Sequence, residues 1–131
     1  MSYKIYINCA YKGNLGEFGA GAVIFNTENN IIKEIIKRLD ITTENIAQYI
    51  CLKITLERAT EMGIKNAYVF MDSNLVIEQM KKSCKIENEN LHKIYHDINV
   101  ILTKFDNISF IYISPELNTY ARSLANKALE Y

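Results

Sequence analysis

The sequence is poor in chain breakers. One proline and five glycines in 131 residues leave no material for a Pro/Gly-rich linker. A single domain spanning residues 1–131 is expected, because this length supports one core. Cysteine is also scarce. Cys9, Cys51 and Cys84 are odd in number, widely spaced and form no CxxC pair, which excludes a disulfide framework. They read as reduced thiols of a cytoplasmic protein. Net charge is missing too, since 15 basic and 15 acidic residues cancel. A protein that grips nucleic acid by charge alone is usually basic, so any such contact here must be local. No apolar run reaches the length of a membrane span, and no charged-then-apolar leader is seen. Internal repeats and low-complexity tracts are absent as well.

What is present is the composition of an ordinary globular domain, 49% apolar and 23% charged. "YKIYIN" alternates, with Tyr3, Ile5 and Ile7 on one face and Lys4, Tyr6 and Asn8 on the other, so it predicts a strand ending at Asn8. "GAGAVIFN" and "IIKEIIKRLDI" predict two more strands. Asn29-Asn30 between them is a hairpin signal, which makes an antiparallel meander.

The period then changes. Thr42 and Thr43 are candidate caps of a long helix that Gly63 ends, with Ala47, Ile50, Cys51 and Ile54 as its apolar stripe. "NAYVFMD" predicts a buried strand parallel to the first. A second helix starts at Ser73. A third carries Leu91, Ile94, Tyr95, Ile98, Ile101, Leu102 and Phe105 on one face. "ISFIYI" is a fifth strand, and a last helix opens at Asn118 with Ala121, Leu124, Ala125 and Ala128 facing inward. The order is β-β-β-α-β-α-α-β-α.

Five strings along this order carry a family resemblance. They are "NCAYKGNLG" from Asn8, "TENIAQY" from Thr43, "MDSNLV" from Met71, "ENENL" from Glu87 and "NTYARSLAN" from Asn118. Together they resemble the ribonuclease H family, especially its compact bacterial and archaeal branch, over nearly the whole chain. The resemblance implies an α/β fold: a five-stranded mixed sheet of order 3-2-1-4-5 with helices on both faces. It also implies an ancestral activity, cleavage of the RNA strand of an RNA–DNA hybrid. In that family four carboxylates hold two Mg²⁺ ions.

The matching positions here are Asn8, Gln48, Asp72 and Arg122, so three of the four carboxylates are replaced. Asn8 and Gln48 keep an oxygen but lose the charge that a hard cation binds. Arg122 brings a permanent positive charge. The formal charge of the quartet goes from −4 in the family to 0 here, with Asp72 as −1 and Arg122 as +1. No catalytic set is intact, and Mg²⁺ is not expected to bind. A guanidinium matches a carboxylate geometrically, so Arg122 is expected to pair with Asp72. Glu44, one turn before Gln48, and Glu116, before the last helix, are the candidate surrogate ligands. A histidine that family members often carry before the last helix is matched by Tyr112. His92 and His96 have an i, i+4 spacing, but they fall on the polar side of the third helix with no third ligand.

Binding is what the resemblance leaves. Lys12, Gly13 and Asn14 in the "YKGNLG" turn, together with Asn45, match family positions that touch the hybrid. "KKSCK", Lys81 to Lys85, is the one basic cluster, and ordinary solvation of a helix end accounts for it equally well. Three functions stay open: a non-cutting module for RNA or an RNA/DNA hybrid, a protein-interaction domain, and a residual metal-dependent hybrid nuclease.

Overall fold

The computed structural model describes residues 2–12, 16–40, 43–82, 86 and 89–130. Five strands, β1 (Tyr3–Lys12), β2 (Glu17–Phe25), β3 (Ile31–Leu39), β4 (Asn66–Met71) and β5 (Asn107–Tyr112), form one sheet in the order β3-β2-β1-β4-β5. The four helices are α1 (Glu44–Glu61), α2 (Asn74–Met80), α3 (Glu89–Leu102) and α4 (Thr119–Ala128). A 3₁₀ turn, Pro115–Leu117, precedes α4. No helix among the described residues is long and apolar enough to cross a membrane.

The meander follows from local chemistry. Asn26 closes the β2–β3 turn, its Oδ1 accepting from the amides of Glu28 and Asn30. Asn29 takes the left-handed conformation that the turn needs, at φ 65°, which asparagine tolerates better than most residues. Thr43 caps α1 by accepting from Ile46 N, and Ser73 caps α2 by accepting from Val76 N. Thr42, the other expected cap, lies outside the described residues. Gly63, at φ 79°, ends α1 as expected.

Two expectations are corrected. β1 does not end at Asn8 but runs on to Lys12, because β2 keeps pairing with it through Lys12↔Glu17. The buried stripe of α1 is also broader than Ala47, Ile50, Cys51 and Ile54. Tyr49, Leu52, Thr55, Leu56 and Ala59 are buried with Ala47 and Cys51, while Ile50 and Ile54 are half-buried. α1 packs on the sheet and on α3 at once, so a wider arc is enclosed.

The sheet has helices on both faces. Ile5, Ile7, Ala22 and Ile24 belong to the main core with Leu52 and Leu56 of α1, Ile77 of α2 and Ile98 of α3. Buried Tyr49 donates to Gln79 Oε1, and Tyr95 donates to the Gln79 carbonyl, which ties these three helices together. On the other face α4 lies almost directly on β2. A Cβ at Gly21 would stand 2.2 Å from Ala125 N and 2.3 Å from Ala121 O. Only glycine permits that approach.

Candidate functional site

Strand lengths create the site. β1 and β4 pair in parallel from Tyr3↔Ala67 to Ile7↔Met71, where β4 ends. Asn8 and Asp72 are therefore the next residues in register, just past the last rung. Asn8 Nδ2 donates to Asp72 Oδ2 at 2.9 Å. Asn8 is only 7% exposed, and its Oδ1 is buried without a partner among the described residues.

Asn118 sets the third side. It stands at the N-cap position of α4, as expected, but its side chain makes no capping bond. Its Nδ2 donates instead to the Ile7 carbonyl at 2.8 Å. The start of α4 is thereby fastened to the last residue of β1 that pairs with β4. Arg122 follows one turn later, its N–H donating to Asn118 O. Asn8, Asp72 and Arg122 line one cleft of about 340 Å³, walled also by Cys9, Tyr11, Pro115 and Asn126.

Arg122 does not pair with Asp72. Among the described residues no ion pair joins them, and Arg122 is exposed on α4. Register brings Asn8 to Asp72 directly, whereas Arg122 is left on the exposed side of α4. Gln48 is in the second turn of α1 and does not line this cleft. Its Oε1 is buried and, among the described residues, unpartnered. Three residues further along α1, the Cys51 thiol meets Cys9, the neighbour of Asn8. The hydrogen bond with Cys9, followed by burial, pushes the Cys51 thiol well above its usual range.

Other expected positions fall less close to the cleft chemistry. Glu44 is exposed in the first turn of α1 and Glu116 is exposed in the 3₁₀ turn. Among the described residues no three of His, Cys, Asp and Glu converge as metal ligands. Tyr112 is the last residue of β5 and not part of the loop, because the ladder with β4 continues to Met71↔Tyr112. His92 and His96 are exposed, as expected. Asn45 is exposed at the start of α1. Lys12 Nζ donates to the Leu129 carbonyl at 3.0 Å, tying the end of β1 to the C-cap of α4. Gly13, Asn14 and the Ser83–Lys85 part of the basic cluster lie outside the described residues, while Lys81 and Lys82 are exposed beyond α2. A separate hollow of about 350 Å³, floored by Tyr6, Val23 and Phe25 and edged by Lys4 and Tyr120, contains none of Asn8, Gln48, Asp72 and Arg122.

The strand order, the crossover of β4 onto β1 and the helix laid across the glycines of β2 define a ribonuclease H-like fold. Residues 7–128 match the family described as reverse transcriptase-like. The chain belongs to that family. The ribonuclease H1 structure from Halobacterium salinarum superposes with a TM-score of 0.92 at 28% identity, covering 99% of this chain and 98% of that one. The N-terminal ribonuclease H domain of a Mycobacterium tuberculosis protein, solved as a fusion with maltose-binding protein, gives 0.91 at 31% identity, covering 99% and 100%. A ribonuclease H1 named LC11, solved in complex with an RNA/DNA hybrid, gives 0.90 at 29% identity, covering 98% and 97%. In sequence, a bifunctional protein of M. tuberculosis is 33% identical over 131 residues, of which the chain spans 36%. Ribonuclease HI of H. salinarum is 29% identical over 125 residues, and the chain spans 63% of it.

Proposed function

We propose that residues 1–131 form one ribonuclease H-like module that holds an RNA/DNA hybrid, or RNA, without cutting it. The observation that carries this reading is the 2.9 Å bond from Asn8 Nδ2 to Asp72 Oδ2. The one carboxylate of the quartet is occupied by an amide on the neighbouring strand. The oxygens of Asn8 and Gln48 are of the kind a hard cation accepts, but they are neutral. Asp72 and the cationic Arg122 bring the formal charge of the quartet to zero. Two divalent ions held about 4 Å apart need several anionic ligands to offset their mutual repulsion and lost hydration. This donor set does not fit them. Support for binding comes from LC11, whose structure contains a hybrid, and from Asn45, exposed where a ligand would reach it.

A protein-interaction role is the second reading. The balanced charge favours it, as do the exposed Ile31, Ile32 and Ile36 on edge strand β3. A residual nuclease would require Glu44 or Glu116 to swing towards Asp72 as a surrogate ligand.

The test is a salt-dependent binding titration with hybrid, duplex RNA, duplex DNA and single strands, run with a cleavage readout in Mg²⁺. The wild type is compared with the variant carrying Asn8→Asp, Gln48→Glu and Arg122→Asp. Salt-sensitive binding with cleavage only in the variant is expected. Cleavage by the wild type at the variant's rate would overturn the reading. Absence of binding to every nucleic acid would favour the protein-interaction role.

A further inference from the structure

We propose that the hollow of about 350 Å³ between β1, β2 and the start of α4 binds a nucleoside monophosphate. Its volume lies in the range of small-molecule sites. Alternation along β1 puts Lys4 and Tyr6 on the same face as Asn8, whose partner Gly21 lies under α4, and both side chains wall the hollow. Tyr6 meets Phe25 of β2 edge to face, with ring centroids 5.7 Å apart and planes at 82°. Such a corner of two rings suits a flat, apolar-faced group.

The polar groups specify the rest of the ligand. Lys4 is the one charged side chain in the wall. Its Nζ donates to Asn29 Oδ1 at 3.3 Å, and no carboxylate pairs with it among the described residues. Thr119 and Tyr120, which open α4, share the same wall. Asn118 does not cap them, and among the described residues their amides donate to no acceptor. A cation beside uncapped N–H groups favours an anion. Asn118 calls for a donor as well. It is 2% exposed and walls this hollow but not the cleft. Its Nδ2 is bound to the Ile7 carbonyl, while its Oδ1 is buried with no partner among the described residues. An open buried acceptor is costly, and a ligand O–H or N–H would fill it. Spacing sets the ligand's length. Two residues along a strand, as Lys4 and Tyr6 are, stand roughly 7 Å apart. A ring with its acid attached directly is too short to use both. A base, a ribose and a phosphate in line reach from the aromatic corner to the ammonium, and base and ribose bring the donors that Asn118 lacks. Because the hollow contains none of Asn8, Gln48, Asp72 and Arg122, the inference is independent of what the cleft holds.

The test is a titration of the isotope-labelled full chain with adenosine monophosphate, adenosine and inorganic phosphate, followed by the backbone amide shifts. Adenosine monophosphate is expected to move the amides of Lys4, Tyr6, Thr119 and Tyr120. It should bind about tenfold or more tightly than adenosine or phosphate, each of which uses only half of the site. Lys4→Gln should weaken the monophosphate about tenfold and leave adenosine unchanged. Tyr6→Leu should weaken both. Should that variant fail to fold, Lys4→Gln, at a half-buried position, carries the test alone. A 5′-phosphorylated dinucleotide run in parallel identifies the source of the group. Affinity equal to the monophosphate's points to a strand end and weaker binding to a free nucleotide, and either supports the site. Four results would overturn the proposal: shifts confined to Asn8 and Asp72, phosphate binding as tightly as the monophosphate, Lys4→Gln without effect, or no shift with any probe.

Discussion

Asn8→Asp places a second carboxylate against that of Asp72. In the present structure an amide nitrogen stands 2.9 Å from Asp72 Oδ2. The substitution puts an oxygen there and removes the donor. A hydrogen bond to a charged acceptor contributes about 1.5–3 kcal/mol. Two negative charges about 4 Å apart at an effective dielectric of about 20 repel by about 4 kcal/mol. The pair has one escape, which is to share a proton. Keeping an aspartate protonated at pH 7, about three units above its reference pKa of about 3.9, costs about 4 kcal/mol at 1.36 kcal/mol per unit. The protonated acid would donate in place of the lost amide, so this figure caps the penalty. Asn8 is 7% exposed but Asp72 is half-buried and partly hydrated. The expected loss at pH 7 is therefore about 2–4 kcal/mol.

The pH dependence identifies the cause. One carboxyl of the pair has a folded-state pKa raised above its unfolded value. Its penalty is absent below the unfolded value, grows as pH rises from there towards the folded one and levels off above it. Urea unfolding at pH 4 and pH 7, without divalent ions, should show near-equal stabilities at the lower pH and a gap at the higher. Asn8→Ala, which removes the donor without adding charge, should show no such slope. Equal stability of Asn8→Asp and wild type at pH 7 would mean that the two side chains are not in contact, and the reading of the site would fall with it.

Three further outcomes are expected. Gly21→Ala drives a methyl into the backbone of α4, where no flexible side chain can yield, and should cost about 3 kcal/mol or more; an unchanged urea midpoint would refute the close approach of α4 to β2. Thr43→Ala removes the α1 cap and should cost about 1 kcal/mol, with Thr43→Ser largely restoring it in thermal unfolding. Lys93 first, and then Lys53, hold Asp97 below the usual carboxylate range. Its contribution is present above the unfolded pKa and is lost as pH falls through the lower folded value, so Asp97→Asn should flatten the acid limb of the stability profile.

Element types and their order were legible because each signal is local: alternation in Tyr3–Asn8, a threonine cap, a glycine stop. The sheet order was legible through the family strings. The partners of the site residues were not. Whether Asp72 meets Asn8 or Arg122 depends on where the β1–β4 ladder stops, which is a pairing across sixty-four residues. Arg122 invited an ion-pair reading on charge alone, yet nothing in the sequence fixes how far α4 holds it from Asp72. Asn118 looked like a cap because asparagine often caps. Only its proximity to the Ile7 carbonyl gives it another acceptor.

β1 has ten residues and β4 has six. Past the last shared rung, β2 is the strand that still pairs with β1 among the described residues, and a cleft opens along the other edge. That notch is a matter of counting and owes nothing to what the next side chain is. Aspartate and asparagine differ by one atom's identity at that point, and the ladder ends at the same place for both. The opening is therefore set by strand length, and substitutions at position 8 change its chemistry without closing it.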